Sequence, residues 1–205
     1  MARILLSNDD GVTSEGLLAL HQSVSALGQV SVVAPDREQS AAGHSLSLHR
    51  PLRIDVFKEG WCAVDGTPTD CINLALNGLF KDAPPDIVLS GINKGGNLGD
   101  DITYSGTVAA AMEATLLGIP AVAMSLSHEN GEVLNFELAQ DFAQKITKQV
   151  LQNGLGEGVL LNVNVPNIPL DKCRGVRVTR QGKRIYGDAI VEKIDPRGRE
   201  YFWIG

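Results

Sequence analysis

The chain has 205 residues, 43% of them apolar and 20% charged, enough for one α/β domain with a sizeable core. Its formal net charge of -6 and the lack of any basic block exclude a nucleic-acid coat, so no duplex binding is expected. No apolar run reaches the roughly 20 residues that span a bilayer, and because Met1-Ala2-Arg3 runs straight into a strand, no signal peptide is expected. Cys62, Cys71 and Cys173 are odd in number and widely spaced, which suits reduced core thiols in a cytoplasmic protein.

Arg3 to Ser7 reads as a first buried strand. Ser14-Glu15-Gly16 opens an amphipathic helix through Leu17, Leu18, Leu20, Val24 and Leu27, closed by Gly28. Val30 to Ala34 is a second strand, stopped by Pro35, and Asp36 to His44 is a polar loop. From Ser45 to Phe57 the alternation of Leu46, Leu48, Leu52, Ile54 and Val56 predicts extended structure or a hairpin arm, with Trp61 to Val64 as its partner. Thr67-Pro68-Thr69-Asp70 enters a helix. Asp86 to Ser90 is a further strand, and Gly91 to Tyr104 reads as one long glycine-rich loop. Ser105-Gly106-Thr107 starts a small-residue helix, Val108 to Leu117, ended by Gly118. A strand at Pro120 to Ser125, a helix at Phe136 to Leu151 and a strand at Val159 to Val165 follow. Beyond Cys173 the tail turns basic and aromatic, with Arg180, Lys183, Arg184, Tyr186, Tyr201, Phe202 and Trp203.

Alternating strands and helices with continuous apolar strands predict a three-layer α/β fold with a mainly parallel, Rossmann-like sheet. An extended hairpin and a C-terminal oligomerisation segment accompany it. The expected organisation is a single domain over 1–205, with 174–205 as an arm for subunit contact.

Asn8-Asp9-Asp10-Gly11 is the most informative tetrad. Adjacent carboxylates at the end of a buried strand repel unless a cation or protons lie between them. The competing reading is a plain turn, which Asn, Asp and Gly all favour. Ligands of such sheets sit beyond the carboxyl ends of the strands. There the tetrad meets the loop bearing Asp36, Arg37, Ser40 and His44, and the segment Ser90 to Asn97. Carboxylate, hydroxyl and amide oxygens together suit Mg²⁺, Mn²⁺ or Ca²⁺ rather than zinc.

Glycines in the 91–104 segment let backbone N–H groups approach an anion, and the helix N-terminus at Ser105-Gly106-Thr107 favours a phosphate. The plainer alternative is that Ser105 or Thr107 only caps the helix. No P-loop and no dinucleotide fingerprint is present. His44 is either an acid or phosphate donor or a structural histidine. His21 and His49 read as structural and His128 as solvated. Arg180, Lys183 and Arg184 fit phosphate contacts or a subunit-contact face.

Five segments resemble the SurE family. They are Arg3-Ile-Leu-Leu-Ser-Asn-Asp-Asp-Gly11, Val33-Ala-Pro-Asp-Arg-Glu-Gln-Ser-Ala-Ala-Gly-His-Ser45, Gly66-Thr-Pro-Thr-Asp-Cys71, Ser90-Gly-Ile-Asn-Lys-Gly-Gly-Asn97 and Tyr104-Ser-Gly-Thr-Val-Ala-Ala-Ala-Met-Glu-Ala114. The resemblance implies a metal-dependent phosphatase of 5′- and 3′-nucleoside monophosphates. It implies one divalent cation per subunit, Mg²⁺ or Mn²⁺, held by Asp9, Asp10, Ser40 and Asn93. It also implies phosphate contacts from Asn97, Ser105, Gly106 and Thr107, and a homodimer or homotetramer with contacts exchanged around Arg180 to Trp203. Family chains usually run some tens of residues past a Tyr-Phe-Trp-Ile-Gly-like stretch, whereas this sequence stops at Gly205.

In the resulting mechanism Asp9 and Asp10 are the catalytic pair, with Lys94 and His44 as further phosphate contacts. The nucleophile is a metal-bound water or one of the two aspartates. Ser40 reads as a neutral metal ligand. A haloacid-dehalogenase-type phosphatase is disfavoured, because its second acid would stand two residues after the first, where Gly11 lies. A non-catalytic nucleotide or metal sensor on the same fold is the rival outside enzymes, and metal binding for stability alone is a third reading. No sequence signature marks a pocket for the base.

Overall fold

A computed structural model describes residues 1–129, 131–183 and 190–204. Strands β1 (Ala2–Ser7), β2 (Gly28–Pro35), β3 (Ile54–Lys58), β4 (Trp61–Val64), β5 (Ile87–Lys94), β6 (Ala121–Ser127) and β7 (Leu160–Pro166) form one seven-stranded sheet. Its order is β3-β4-β2-β1-β5-β6-β7. Every pairing is parallel except β3 with β4, the hairpin at the edge.

The period-2 rule of strands explains the layering. Ile4 and Leu6 of β1 join the core beneath helices α1 (Glu15–Val24) and α4 (Glu137–Asn153). Leu5 between them joins the opposite core, beneath α2 (Pro68–Leu74) and α3 (Gly106–Leu116). Val32 against Val33, Leu89 against Val88, and Met124 against Ala123 repeat the alternation. The predicted three-layer, mainly parallel architecture is therefore the one observed.

Local chemistry sets the helix starts. Ser14 accepts from the Leu17 amide and caps α1. Thr67 and Asp70 close a reciprocal capping box on α2, with Pro68 in its first turn.

The arm read over Ser45 to Phe57 forms a strand only from Ile54, and two further boundaries differ from the sequence reading for physical reasons. Helix α1 ends at Val24, and Gly28 opens β2 instead of closing the helix. Its partner there is Ala2, and a Cβ on Gly28 would lie 2.2 Å from the Ala2 carbonyl oxygen. Close strand approach, not helix termination, is what requires this glycine. Likewise 91–104 is not one loop. β5 continues to Lys94, with Asn93 and Lys94 paired to Ser125 and Leu126 of β6. The register shifts between Ser90 and Asn93, where Gly91 takes a φ of 135°. Glycine here permits an irregular strand rather than a loop, and a 3₁₀ turn follows at Gly99–Thr103.

The tail runs without regular structure over 174–183. Strands β8 (Ile190–Ile194) and β9 (Glu200–Ile204) then form a separate antiparallel pair. Arg184 and Tyr186 lie outside the described residues. Among the described residues, no helix is long and apolar enough to cross a membrane.

Helix α1 rides on β5 at Gly16, where an added Cβ would stand 1.9 Å from the Ile92 carbonyl oxygen. Gly16→Ala is therefore expected to destabilise the fold by about 1–3 kcal/mol through overpacking. Urea denaturation measures this, and parent-like stability would contradict such tight helix–strand contact.

Candidate active site

β1 lies between β2 and β5, so the carboxyl ends of these three strands converge. At the end of β1, the Asn8 side chain donates to the Gly11 carbonyl at 3.0 Å and to Ser14 Oγ at 2.7 Å. Gly11 takes a φ of 94° beside the backbone of Arg37. The tetrad is a turn after all, but Asn8 and Gly11 shape it. The carboxylates of Asp9 and Asp10 are left to face the cleft.

The Asp36 to His44 loop is stitched to this turn by backbone bonds from Gln39 N–H to the Asp9 carbonyl and from Val12 N–H to the Pro35 carbonyl, both 2.8 Å. On the far side, Thr107 Oγ1 donates to Asp9 Oδ1 at 2.5 Å. Gly106 lets the first turn of α3 sit on the Asp9 side chain, since a Cβ there would lie 2.7 Å from Asp9 Cβ. Asp9 is 7% exposed. Burial pushes its carboxyl up to about 6; the Thr107 hydroxyl opposes this and the neighbouring Asp10 adds to it. Burial raises Asp10 as well, with Glu38 adding to the rise while the Lys94 amide and ammonium counter it.

These groups border an open cleft of about 510 Å³. Asp9, Asp10, Ser40, Asn93, Lys94 and Asn97 all line it. Ser40 Oγ donates to Glu38 Oε1 at 2.6 Å, which leaves its lone pairs available. Asn93 Nδ2 donates to the Gly95 carbonyl at 2.8 Å, which leaves Oδ1 free to coordinate. Lys94 Nζ stands 3.6 Å from Glu15. Ser105 lines the cleft and also caps α3, accepting from the Val108 amide at 3.1 Å. Capping and anion binding are therefore compatible at this helix end.

His44 is placed differently. It does not line the cleft, and its Nε2 lies 2.8 Å from Glu113 Oε2 on α3. Of the other histidines, His21 packs at a tilt of 48° against Trp61, the ring centroids 5.1 Å apart. Arg180 and Lys183 are exposed and stand outside the cleft wall.

Asn162 and Asn164 went unnoticed in the sequence, yet they hold Asn97. The Asn97 amide donates to Asn164 Oδ1 at 2.8 Å, and its carbonyl accepts from Asn162 Nδ2 at 2.9 Å and Asn164 Nδ2 at 3.1 Å. Asn97 Nδ2 donates in turn to Ser125 Oγ at 2.7 Å. The available signal was Asn-Val-Asn near the end of a strand, which puts two amides on one face.

A cation fits this donor set on two observations. Asp10 Oδ2 is buried without a hydrogen-bond partner. Two adjacent carboxyl groups, Asp9 buried and Asp10 half-buried, beside neutral Ser40 and Asn93 oxygens, form a hard-oxygen set. No trio of histidine, cysteine or acidic side chains placed to hold a metal occurs among the described residues. The neutral oxygens would therefore have to take part.

Residues 4–188 match the family described as Survival protein SurE. The chain belongs to the SurE family. A relative named 5′-nucleotidase SurE, from Geobacter sulfurreducens, is 56% identical over 202 residues, covering 98% of this chain and 76% of the relative. One of the same name from Myxococcus xanthus is 56% identical over 205 residues, covering 99% and 76%. The crystal structure of the SurE protein from Aquifex aeolicus superposes with a TM-score of 0.88 at 45% identity, covering 99% of this chain and 82% of that one. The SurE resemblance read from the five sequence segments is thereby borne out. In this SurE chain, four of those segments supply the walls of the cleft and the fifth, Gly66 to Cys71, starts the helix packed beside α3.

A carboxyl that holds its proton more tightly folded than unfolded costs stability as pH rises between the two values, here from 3.8 to about 6. In metal-free protein, Asp9→Asn should remove that loss, on the order of 3 kcal/mol by pH 7. Urea unfolding in EDTA at about pH 4 and about pH 7, mutant against parent, reads it out. A difference that does not grow with pH would refute the burial argument.

Proposed function

We propose that this chain is a 5′-nucleotidase that hydrolyses nucleoside monophosphates to nucleoside and phosphate. The observation that carries the reading is the meeting of Asp9 and Asp10 with the N-terminus of α3 at one cleft. One end of that arrangement suits a cation and the other suits a phosphate.

In the finer reading, catalysis depends on one divalent cation per subunit, Mg²⁺ or Mn²⁺, held by Asp9, Asp10, Ser40 and Asn93. When bound, the cation neutralises the carboxylates and polarises a phosphate oxygen. The chain supplies the rest. Thr107 fixes the Asp9 carboxylate by its short hydrogen bond. Lys94, Ser105 and the amides of Gly106 and Thr107 bind the peripheral phosphate oxygens, and Asn97 is presented to them by its clamp on β7. Positioning and charge stabilisation dominate, because phosphoryl transfer asks little covalent chemistry of the protein. Both 5′- and 3′-monophosphates are substrates in this reading. His44, tied to Glu113, supports the Ser40 loop rather than touching phosphate.

Residues 1–205 act as one unit with 174–205 as an arm. Exposed Ile190, Ile194, Phe202 and Trp203 on the β8–β9 pair suit burial against a second copy, giving a homodimer or homotetramer. Three free cysteines accord with a reducing, cytoplasmic setting.

Phosphate release from a panel of nucleoside monophosphates, with Mn²⁺, Mg²⁺ or EDTA, tests the reading. Release is expected with metal and lost with EDTA; tight nucleotide binding without release would favour a sensor instead. Asp10→Asn should lower turnover by at least about a hundredfold, since it weakens the metal site. Parent-like turnover in that variant would remove Asp10 from the mechanism.

A further inference from the structure

The phosphate end of the cleft is polar throughout, but one part of its wall is not. Of the residues lining it, only Ala41 and Tyr104 present an apolar or aromatic side chain. They come from separate segments, which are tied near this point by the Gly43 amide donating to the Tyr104 carbonyl at 3.1 Å. Tyr104 is 60% exposed, an aromatic ring left open to solvent beside a cleft. Its backbone is held: the Tyr104 amide donates to the Asp101 carbonyl at 3.0 Å, and the next residue, Ser105, caps α3. Ala41 has a φ of 57°, the one left-handed non-glycine residue among those described, and it lines the same cleft.

A nucleoside monophosphate is polar at its phosphate and flat and aromatic at its base. With its phosphate on the N-terminus of α3, its base must lie against some other part of the same cleft. Base–aromatic stacking tolerates any base, since each offers a π-face. We propose that Tyr104, with Ala41 beside it in the lining of the same cleft, is the platform on which the nucleobase stacks. It is thus a specificity-determining residue that favours nucleotides over sugar phosphates lacking a base. This rests on the nucleotidase reading, which could fail separately.

The test compares adenosine 5′-monophosphate with ribose 5-phosphate, which shares the reacting phosphate and the sugar. In Tyr104→Leu, the ratio of kcat/KM for the nucleotide to that for the sugar phosphate should fall about tenfold. The loss should lie in KM, because the base is remote from the bond that breaks. Tyr104→Phe, which keeps the ring, should retain the parent ratio. An unchanged ratio in Tyr104→Leu, or an equal loss in Tyr104→Phe, overturns the proposal. Should the parent bind adenosine 5′-monophosphate without hydrolysing it, the nucleotidase reading falls, and Kd decides the platform. A tenfold weaker Kd in Tyr104→Leu upholds it, and an unchanged Kd overturns it.

Discussion

Two neighbouring carboxylates at the carboxyl end of a buried strand are the constraint on which this molecule turns. Burial alone drives both Asp9 and Asp10 toward their protonated forms. A chain that kept them for stability would surround them with cations or amide donors. Here the donors fall short: one oxygen of Asp10 is buried with no partner, and the Thr107 hydroxyl at Asp9 and the Lys94 amide and ammonium near Asp10 only partly offset burial. The local arrangement is costly without a ligand, and that cost is the physical reason this strand end is the candidate site.

The fold makes this arrangement possible by bringing main chain very close to main chain. Gly16 admits α1 against β5, and Gly106 admits the first turn of α3 against Asp9. Gly91 lets β5 step irregularly before delivering Asn93 and Lys94 to the cleft. Seven strands covered on both faces hold these contacts rigid, since each strand packs alternate side chains into opposite cores. The site therefore rests on strand ends and a helix start, which hold catalytic geometry better than free loops do.

Much of this was legible in the sequence, for reasons that differ from place to place. The strand at Arg3 to Ser7 and the helix after Ser14 announce themselves by local periodicity and capping, which need no partner. Asp9 and Asp10 stand out because acids directly after an apolar strand are costly wherever the strand is buried. Gly28 misled because the same residue serves helix termination and close strand approach, and only the neighbour, Ala2, separates the two. Gly91 misled in the same way, by reading as a loop where it permits a bent strand. The Asn97 clamp was hidden because its partners, Asn162 and Asn164, lie far along the chain on β7.

By itself, the sequence determined the alternation of strands and helices, the two-faced core, the family and the residue types at the strand ends. These depend on hydrophobic period, capping and turn chemistry, all carried by residues close together in the chain. Only the tertiary structure decided that Asp9 is buried beneath α3, that His44 turns to Glu113 instead of the cleft, and that Ala41 and Tyr104 line one cleft. Those outcomes depend on desolvation and contact between segments distant in sequence, and neither exists until the sheet has closed around them.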